Sequence, residues 1–309
     1  MMDLGRLRAL HAVAVHGSVG KAAAALGFTS SAVSQQISKL ERETRTTLLE
    51  RQGRGVVLTD AALELASTAQ RVLALVEQAE VTLEEQRGQA VGRLLMAAFA
   101  TGARGLLPGA LAELRTDCPE LDVRLLESDP YLAVELVARG EVDLALVQDW
   151  PTVPLPVPEG LSRLDFGQDP VDLLLREEHP LARLAVVPVD RLRGQRWISV
   201  PPGNICHDWL VRTMREVGEE PDVHYRVGEF ETQLALIGAG LGVGLVPRLG
   251  RGTLPSGVVA RPVAPEPARR VFAVWRTQAS RRPAITAALA AMRRRWPLRE
   301  AAAGPADPH

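Results

Sequence analysis

The segment 18–51 constrains the fold of this chain more than any other part of its sequence. It contains two short helical patterns with a glycine between them, which is the outline of a helix-turn-helix. Ser18 and Thr29 directly precede the two patterns, where a hydroxyl can accept hydrogen bonds from the free N–H groups of a helix N-terminus. We therefore predict one helix over Val19–Leu26 and a second that begins at Ser30.

The second of these helices has two chemically different faces. Val33, Ile37 and Leu40 recur at helical spacing, so this face should be buried. The opposite face carries short hydroxyl and amide side chains, which can exchange hydrogen bonds with base edges in the major groove of DNA. An ordinary solvated face is the alternative, but the turn, the cap and the apolar stripe together favour DNA reading. The predicted contact residues here are Thr29, Ser30, Ser31, Ser34, Gln35, Gln36, Ser38 and Lys39.

A glycine-rich turn follows this helix and lies between two short apolar stretches. The pattern predicts a two-stranded hairpin, or wing, in which Arg51 and Arg54 can reach DNA phosphates. An exposed hairpin with incidental arginines is the alternative. The first 60 residues carry a formal charge of +3 and the remainder carries -4, so positive charge is concentrated where DNA would bind.

These N-terminal features resemble the winged helix-turn-helix of the LysR-type transcriptional regulators. Arg45 departs from the family pattern, which usually has glycine at this position. The resemblance implies binding to a pseudo-palindromic promoter site in double-stranded DNA as a homodimer or homotetramer, with RNA polymerase as a further partner and no role for a membrane. The matching pieces are Ala22-Ala23, Leu26-Gly27, the run from Ser31 to Ile37, Leu40-Glu41, the run from Leu48 to Arg51, and Leu58-Thr59.

A long uninterrupted helix is predicted after the wing, because residues 60–86 contain neither proline nor glycine. Its apolar residues repeat with spacings of four and three, which is the pattern of a seam that pairs with a second copy of the chain. A helix packed on its own domain is the alternative. The predicted seam consists of Leu65, Ala69, Val72, Val76, Ala79 and Leu83.

The remaining sequence alternates between strand and helix patterns, which predicts parallel sheets. The runs Gly140–Ala145, His179–Leu181 and Gly240–Pro247 resemble the effector-binding domain of the same family, whose two lobes are similar to periplasmic binding proteins. The predicted fold class is α/β, with an N-terminal winged helix-turn-helix, a long linker helix and a two-lobed effector-binding domain. The predicted boundaries are 1–59, 60–88 and 89–298, with one lobe at 89–161 and 266–298, the other at 162–265, and a flexible tail at 299–309.

An effector site is expected between the lobes, because ligands bind beyond the carboxyl ends of parallel strands and beside helix N-termini. Thr101 is the strongest candidate, since its hydroxyl at a helix start could bind a carboxylate effector. Asp149 and Glu229 would instead suit a cationic group. Each position can equally be a cap or loop residue. The predicted effector residues are Thr101, Gly102, Ser128, Gln148, Asp149, Pro202, Gly203, Asn204, Glu229 and Phe230.

Other classes of function find little support in the sequence. It has no P-loop, no H-E-x-x-H motif and no Cys/His cluster with metal spacing, so we expect no cofactor, metal or catalysis. The sequence lacks a signal-peptide pattern and a long apolar run, so a cytoplasmic protein is expected. Cys206 has two interpretations, a redox-sensing thiol or a small apolar residue. A cytosolic solute-binding or redox-sensing protein without operator recognition is therefore the alternative function.

Overall fold

The computed structural model describes residues 2–52 and 55–296. The chain divides into two compact units, with the boundary between Gly88 and Gln89, and each unit has a hydrophobic core of its own. The predicted α/β class with an N-terminal winged helix-turn-helix is confirmed. The tail predicted at 299–309 lies outside the described residues.

The helix-turn-helix of the first unit forms as its capping residues predict. The hydroxyl of Ser18 accepts a hydrogen bond from the N–H of Lys21 at 3.2 Å, and the hydroxyl of Thr29 accepts one from Ala32 at 3.2 Å. Gly27 ends the first helix of the motif in the left-handed conformation, with φ of 69°. The elements of this unit are α1 Leu4–His16, α2 Val19–Leu26, α3 Ser30–Thr44, β1 Leu49–Gln52, β2 Gly55–Leu58 and α4 Asp60–Arg87.

Part of the predicted seam of the long helix α4 packs against the core of its own unit. Ala69 is fully buried in the core of the first unit, and Leu65 and Val72 pack against that core. The expectation that the whole seam is free to pair with a second copy is therefore wrong for its N-terminal half. Further along α4, the side chains of Leu75 and Leu83 are 65% and 56% exposed.

The second unit alternates strands and helices as predicted. The elements that were not anticipated include the short helix at 100–105 and the strands at 187–188 and 258–264. Its helices are α5 Ala100–Gly105, α6 Leu107–Asp117, α7 Pro130–Ala138, α8 Ile205–Glu216, α9 Phe230–Gly238 and α10 Pro283–Arg295. Its strands are β3 Gly92–Ala98, β4 Leu121–Glu127, β5 Leu144–Asp149, β6 Leu161–Arg176, β7 Val187–Pro188, β8 Arg196–Ser199, β9 Asp222–Arg226, β10 Gly244–Pro247, β11 Val258–Ala264 and β12 Ala268–Arg276.

The first lobe is built on the parallel strands β4, β3 and β5, which confirms the parallel sheet that the alternating patterns predict. Strand β12 then pairs antiparallel with both β5 and β6. The second lobe contains β7, β10 and β11, together with the parallel pair β8 and β9. Among the residues that the structure describes, no helix combines the length and apolarity needed to cross a membrane.

Strand β6 runs through both lobes and carries the first crossing between them. Residues 161–170 of this strand pair with β12, whereas residues 171–176 pair with β10 and β11. The predicted boundary between the lobes, at residues 161–162, coincides with the start of this strand. The structure has the change of partners at Pro170, because a proline lacks the N–H needed to continue a ladder.

Candidate functional site

The exposed face of α3 presents the side chains that the sequence assigns to DNA reading. Val33, Ile37 and Leu40 are fully buried, so the orientation of the helix is fixed. Thr29 begins the exposed face, and its Oγ1 lies 2.9 Å from Oγ of Ser31. Of the eight predicted residues from Thr29 to Lys39, all are exposed except Gln36, which is half-buried.

The hairpin is fastened to α3 by a carboxylate. Oε1 of Glu41 accepts hydrogen bonds from the N–H groups of Leu48 at 2.8 Å and Leu49 at 3.1 Å, where β1 begins. Arg45 ends α3 in the left-handed conformation with φ of 51°, the geometry that glycine usually provides. Only the backbone of Arg51 is described, within β1, and Arg54 lies outside the described residues.

The second unit contains a cleft of about 280 Å³ between its lobes. Helix N-termini from both lobes reach this cleft, as expected for ligand sites in parallel α/β folds. No cluster of three metal-ligating side chains occurs within residues 2–52 and 55–296. The wall contains five residues that the sequence proposed, namely Thr101, Ser128, Gln148, Asn204 and Phe230, and others that it did not, among them Phe99, Glu127, Asp129, Cys206 and Arg269.

Five of the proposed effector residues lie outside the wall of this cleft. Asp149 is buried in an ion pair with Arg270, at 2.6 Å, and it also accepts a hydrogen bond from the N–H of Leu155. Gly102 is a packing residue, because an added Cβ would lie 2.8 Å from the Phe99 ring. The remaining three residues are exposed, namely Pro202, Gly203 and Glu229.

A buried arginine that the sequence did not single out organises one side of the cleft. Arg269 is 1% exposed, and its Nε donates to Oδ2 of Asp169 at 2.9 Å. Its Nη2 donates to Oγ1 of Thr101 at 2.5 Å, and its guanidinium lies 4.7 Å from the centre of the Phe99 ring. Thr101 is therefore already a hydrogen-bond acceptor for a residue of the chain itself.

The two lobes are also joined directly beside the cleft, through α7 and α8. The hydroxyl of Tyr131 donates to Oδ2 of Asp208 at 3.0 Å. Burial, followed by this hydrogen bond, raises the pKa of Tyr131 to about 12, so the phenol stays protonated as the donor. Trp150 of the first lobe stacks on Trp209 of the second, with ring centroids 3.7 Å apart.

Asp129 caps α7 and lies close to the start of α8. Its Oδ1 accepts a hydrogen bond from the N–H of Tyr131 at 3.0 Å. Burial raises the pKa of Asp129, and the N–H groups of Tyr131 and Ile205 act in the opposite direction by stabilising the charged form. Sequence reasoning missed Asp129, although the dipeptide Asp129-Pro130 could have located it, because aspartate favours the N-cap and proline the first helical position.

Cys206 lies in the cleft wall, where its surroundings favour the neutral thiol over the thiolate. Burial is the main cause that raises its pKa, and the charge of Asp129 adds to the shift, whereas Arg269 and Gln148 oppose it. Nε2 of Gln148 lies 3.4 Å from its Sγ. Cys118 is also a free cysteine, at the end of α6.

Comparisons with known proteins agree with this arrangement. One relative, the HTH-type transcriptional regulator XapR of Escherichia coli (strain K12), is 30% identical over 291 residues, which cover 94% of this chain and 97% of the relative. The DNA-binding transcriptional dual regulator OxyR of the same strain is 29% identical, with 89% and 90% covered. A full-length OxyR variant from Pseudomonas aeruginosa has the same fold, with a TM-score of 0.70, 22% identity and 95% of each chain covered.

Two family models match the two units separately. Residues 4–63 match the bacterial regulatory helix-turn-helix protein of the lysR family. Residues 87–297, more than half of the chain, match the LysR substrate binding domain. The chain therefore belongs to the LysR family of DNA-binding transcriptional regulators.

Proposed function

We propose that α3 and the wing bind an operator and that a small-molecule effector in the cleft modulates this binding. The observation that carries the proposal is the single free polar face of α3, opposite three fully buried aliphatic residues. The units serve as a DNA-binding domain at 1–59, a linker helix at 60–88 and an effector-binding domain at 89–298. Because the operator is chromosomal DNA, the protein is expected to work in the cytoplasm.

The exposed residues of α3 divide into two roles. The glutamine and serine side chains can read base edges, and a glutamine can form a bidentate pair with adenine. Lys39, with the wing arginines, is suited to phosphate contacts that hold the domain in register. A structure of similar fold, full-length CbnR with its target DNA, has a TM-score of 0.53 and 22% identity and covers 95% of this chain. Direct base readout by this exposed face is therefore the proposed source of sequence specificity.

For the effector, the proposed contacts are the five predicted residues of the cleft wall. A ligand that prefers one arrangement of the two lobes would shift the equilibrium between their arrangements. This shift would change the spacing of the paired DNA-binding domains and therefore the bending of promoter DNA. Binding alone performs this task, so the proposed function includes no catalytic step.

We further propose that α4 pairs with α4 of a second copy through its exposed apolar residues. Leu75 and Leu83 are more than half exposed, although both are large and apolar. Pairing would bury them and place two copies of α3 on the two halves of a pseudo-palindromic site. Two such dimers would give the tetramer expected from the family resemblance.

A redox-sensing function is the second candidate, since several relatives are hydrogen peroxide-inducible genes activators. Cys206 lines the cleft and lies close to Arg269, which favours this candidate. The raised pKa of the thiol opposes it, because the thiolate is the reactive form. We therefore favour effector binding over thiol chemistry.

Replacing Gln35 by alanine tests base readout. Loss of a base-edge contact should weaken binding to the promoter region beside the gene by about 1–3 kcal/mol, roughly five- to 150-fold, while binding to random DNA stays unchanged. Gel-shift titration of both DNAs measures this difference. Gln70→Ala, at an exposed glutamine of α4, is the matched control. An equal loss on random DNA would show that Gln35 contacts the DNA backbone.

Replacing Leu75 by glutamate tests the proposed pairing of α4. Each buried leucine contributes about 2 kcal/mol, and a buried carboxylate without a partner adds a penalty, so the dimer should dissociate at micromolar concentration. Size-exclusion chromatography with light scattering gives the mass. Gln70→Glu adds the same charge at an exposed position on another side of α4 and should leave the mass unchanged. An unchanged mass for Leu75→Glu would remove α4 from the dimer interface.

The two candidate functions of Cys206 predict different thiol reactivity. In a Cys118→Ser background, iodoacetamide should alkylate the folded protein at neutral pH roughly tenfold or more slowly than the urea-unfolded protein, because the raised pKa keeps the thiol protonated. Reactivity should increase only as the pH rises above the usual cysteine pKa. Faster alkylation in the folded state would identify a low-pKa thiol and support redox sensing.

A further inference from the structure

We propose that the cleft selects a small aromatic ligand with a protonated amine or amidine and discriminates against carboxylates. The inference rests on the proposed effector-binding function and specifies the ligand class. The proposed ligand class follows from two sets of charged and hydrogen-bonding groups in the cleft wall. One set already has partners within the chain, and the other can bind a ligand.

The positive charge of the wall is already compensated. Arg269 has Asp169 as an ion-pair partner, at 2.8 Å, and both side chains are almost fully buried. A carboxylate ligand would have to displace Asp169, which is already buried, and it would itself have to be removed from water. This desolvation cost makes the exchange unfavourable. Arg269 is therefore a weak receptor for a second anion.

Some of the backbone N–H groups that would bind an anion, those at the starts of α7 and α8, are also occupied. Helix N-termini attract anions because their first N–H groups are free and the helix dipole is positive there. At α7 and α8 the chain supplies its own acceptors. Oδ1 of Asp129 accepts from Tyr131, and Oδ1 of Asn204 accepts from Cys206 at 2.9 Å. At α9, the N-cap residue is Glu229 and the first turn contains Glu231, so two carboxylates already lie at this terminus.

The remaining groups of the wall favour a hydrogen-bond donor with positive charge. Glu127 and Asp129 contribute two carboxylates, against one arginine that is already paired. Gln148 is 1% exposed, and its Oε1 has no hydrogen-bond partner in the described part of the chain, so a donor on the ligand would satisfy a buried acceptor. Phe99 and Phe230 add aromatic surface to the wall, and such rings attract cationic groups as well as other rings.

A matched pair of probes tests this inference on the full-length chain. Benzamidine and benzoate have similar size and shape but opposite charge, and isothermal titration calorimetry at neutral pH measures both at millimolar concentration. Benzamidine should bind, and benzoate should bind at least tenfold more weakly. Equal or tighter binding of benzoate would overturn the inference, and so would the absence of binding by both probes.

Two charge-neutralising variants locate the binding site. Glu127→Gln removes an exposed carboxylate of the wall and should weaken benzamidine binding about two- to fivefold, as expected for a solvent-screened ion pair. Glu120→Gln removes an exposed carboxylate before the opposite end of β4 and should leave binding unchanged. An equal loss in both variants, or no loss in either, would place benzamidine outside the cleft and overturn the inference.

Gel shifts of promoter DNA by the same preparations separate this inference from the proposed function. If benzoate binds better than benzamidine while the protein still shifts its promoter, the ligand class is wrong and the regulator function stands. If the wild-type protein shifts no promoter DNA, the proposed function fails whichever probe binds.

Discussion

The buried ion pair between Arg269 and Asp169 is the interaction on which the effector-binding unit depends. The two residues face each other on neighbouring strands β12 and β6, next to the point where β6 leaves one lobe for the other. Asp169 also accepts a hydrogen bond from the N–H of Leu249 in the second lobe, and Arg269 donates to Thr101 in the first. One ion pair therefore joins both lobes to the crossing strands and forms part of the cleft wall.

The same ion pair links stability to ligand selection. A buried arginine must be paired, since an isolated charge in the interior costs several kcal/mol. Because Asp169 pairs with Arg269, this arginine connects the lobes but has little affinity left for an anionic ligand. Asp129 acts similarly at the start of α7, where its Oδ1 takes the place that a ligand carboxylate could occupy. The chain thus satisfies Arg269 and the caps of α7 and α8 itself, and it leaves acceptors for the ligand.

The parts of the structure that the sequence predicted are those set by local chemistry. The caps at Ser18 and Thr29 and the periodicity of α3 depend on neighbours within a few residues, so helix bounds and the exposed face could be predicted. The same local patterns located the strand ends that reach the cleft. They could not predict which distant residues contact each other there. Arg269 is 100 residues from Asp169 and 168 from Thr101, and no periodicity connects them. For the same reason, the heptad pattern of α4 did not distinguish packing on its own unit from pairing with a second copy.

A double-mutant cycle on Arg269→Met and Asp169→Asn tests the central role of the ion pair most directly. All five tryptophans lie after Gly88, so their fluorescence during urea unfolding reports the effector-binding unit of the full chain. Each single replacement should lower the free energy of unfolding by about 3–5 kcal/mol, because it leaves a buried group unpaired, and the double replacement should cost clearly less than the sum. Single losses below about 1 kcal/mol that simply add would contradict the account.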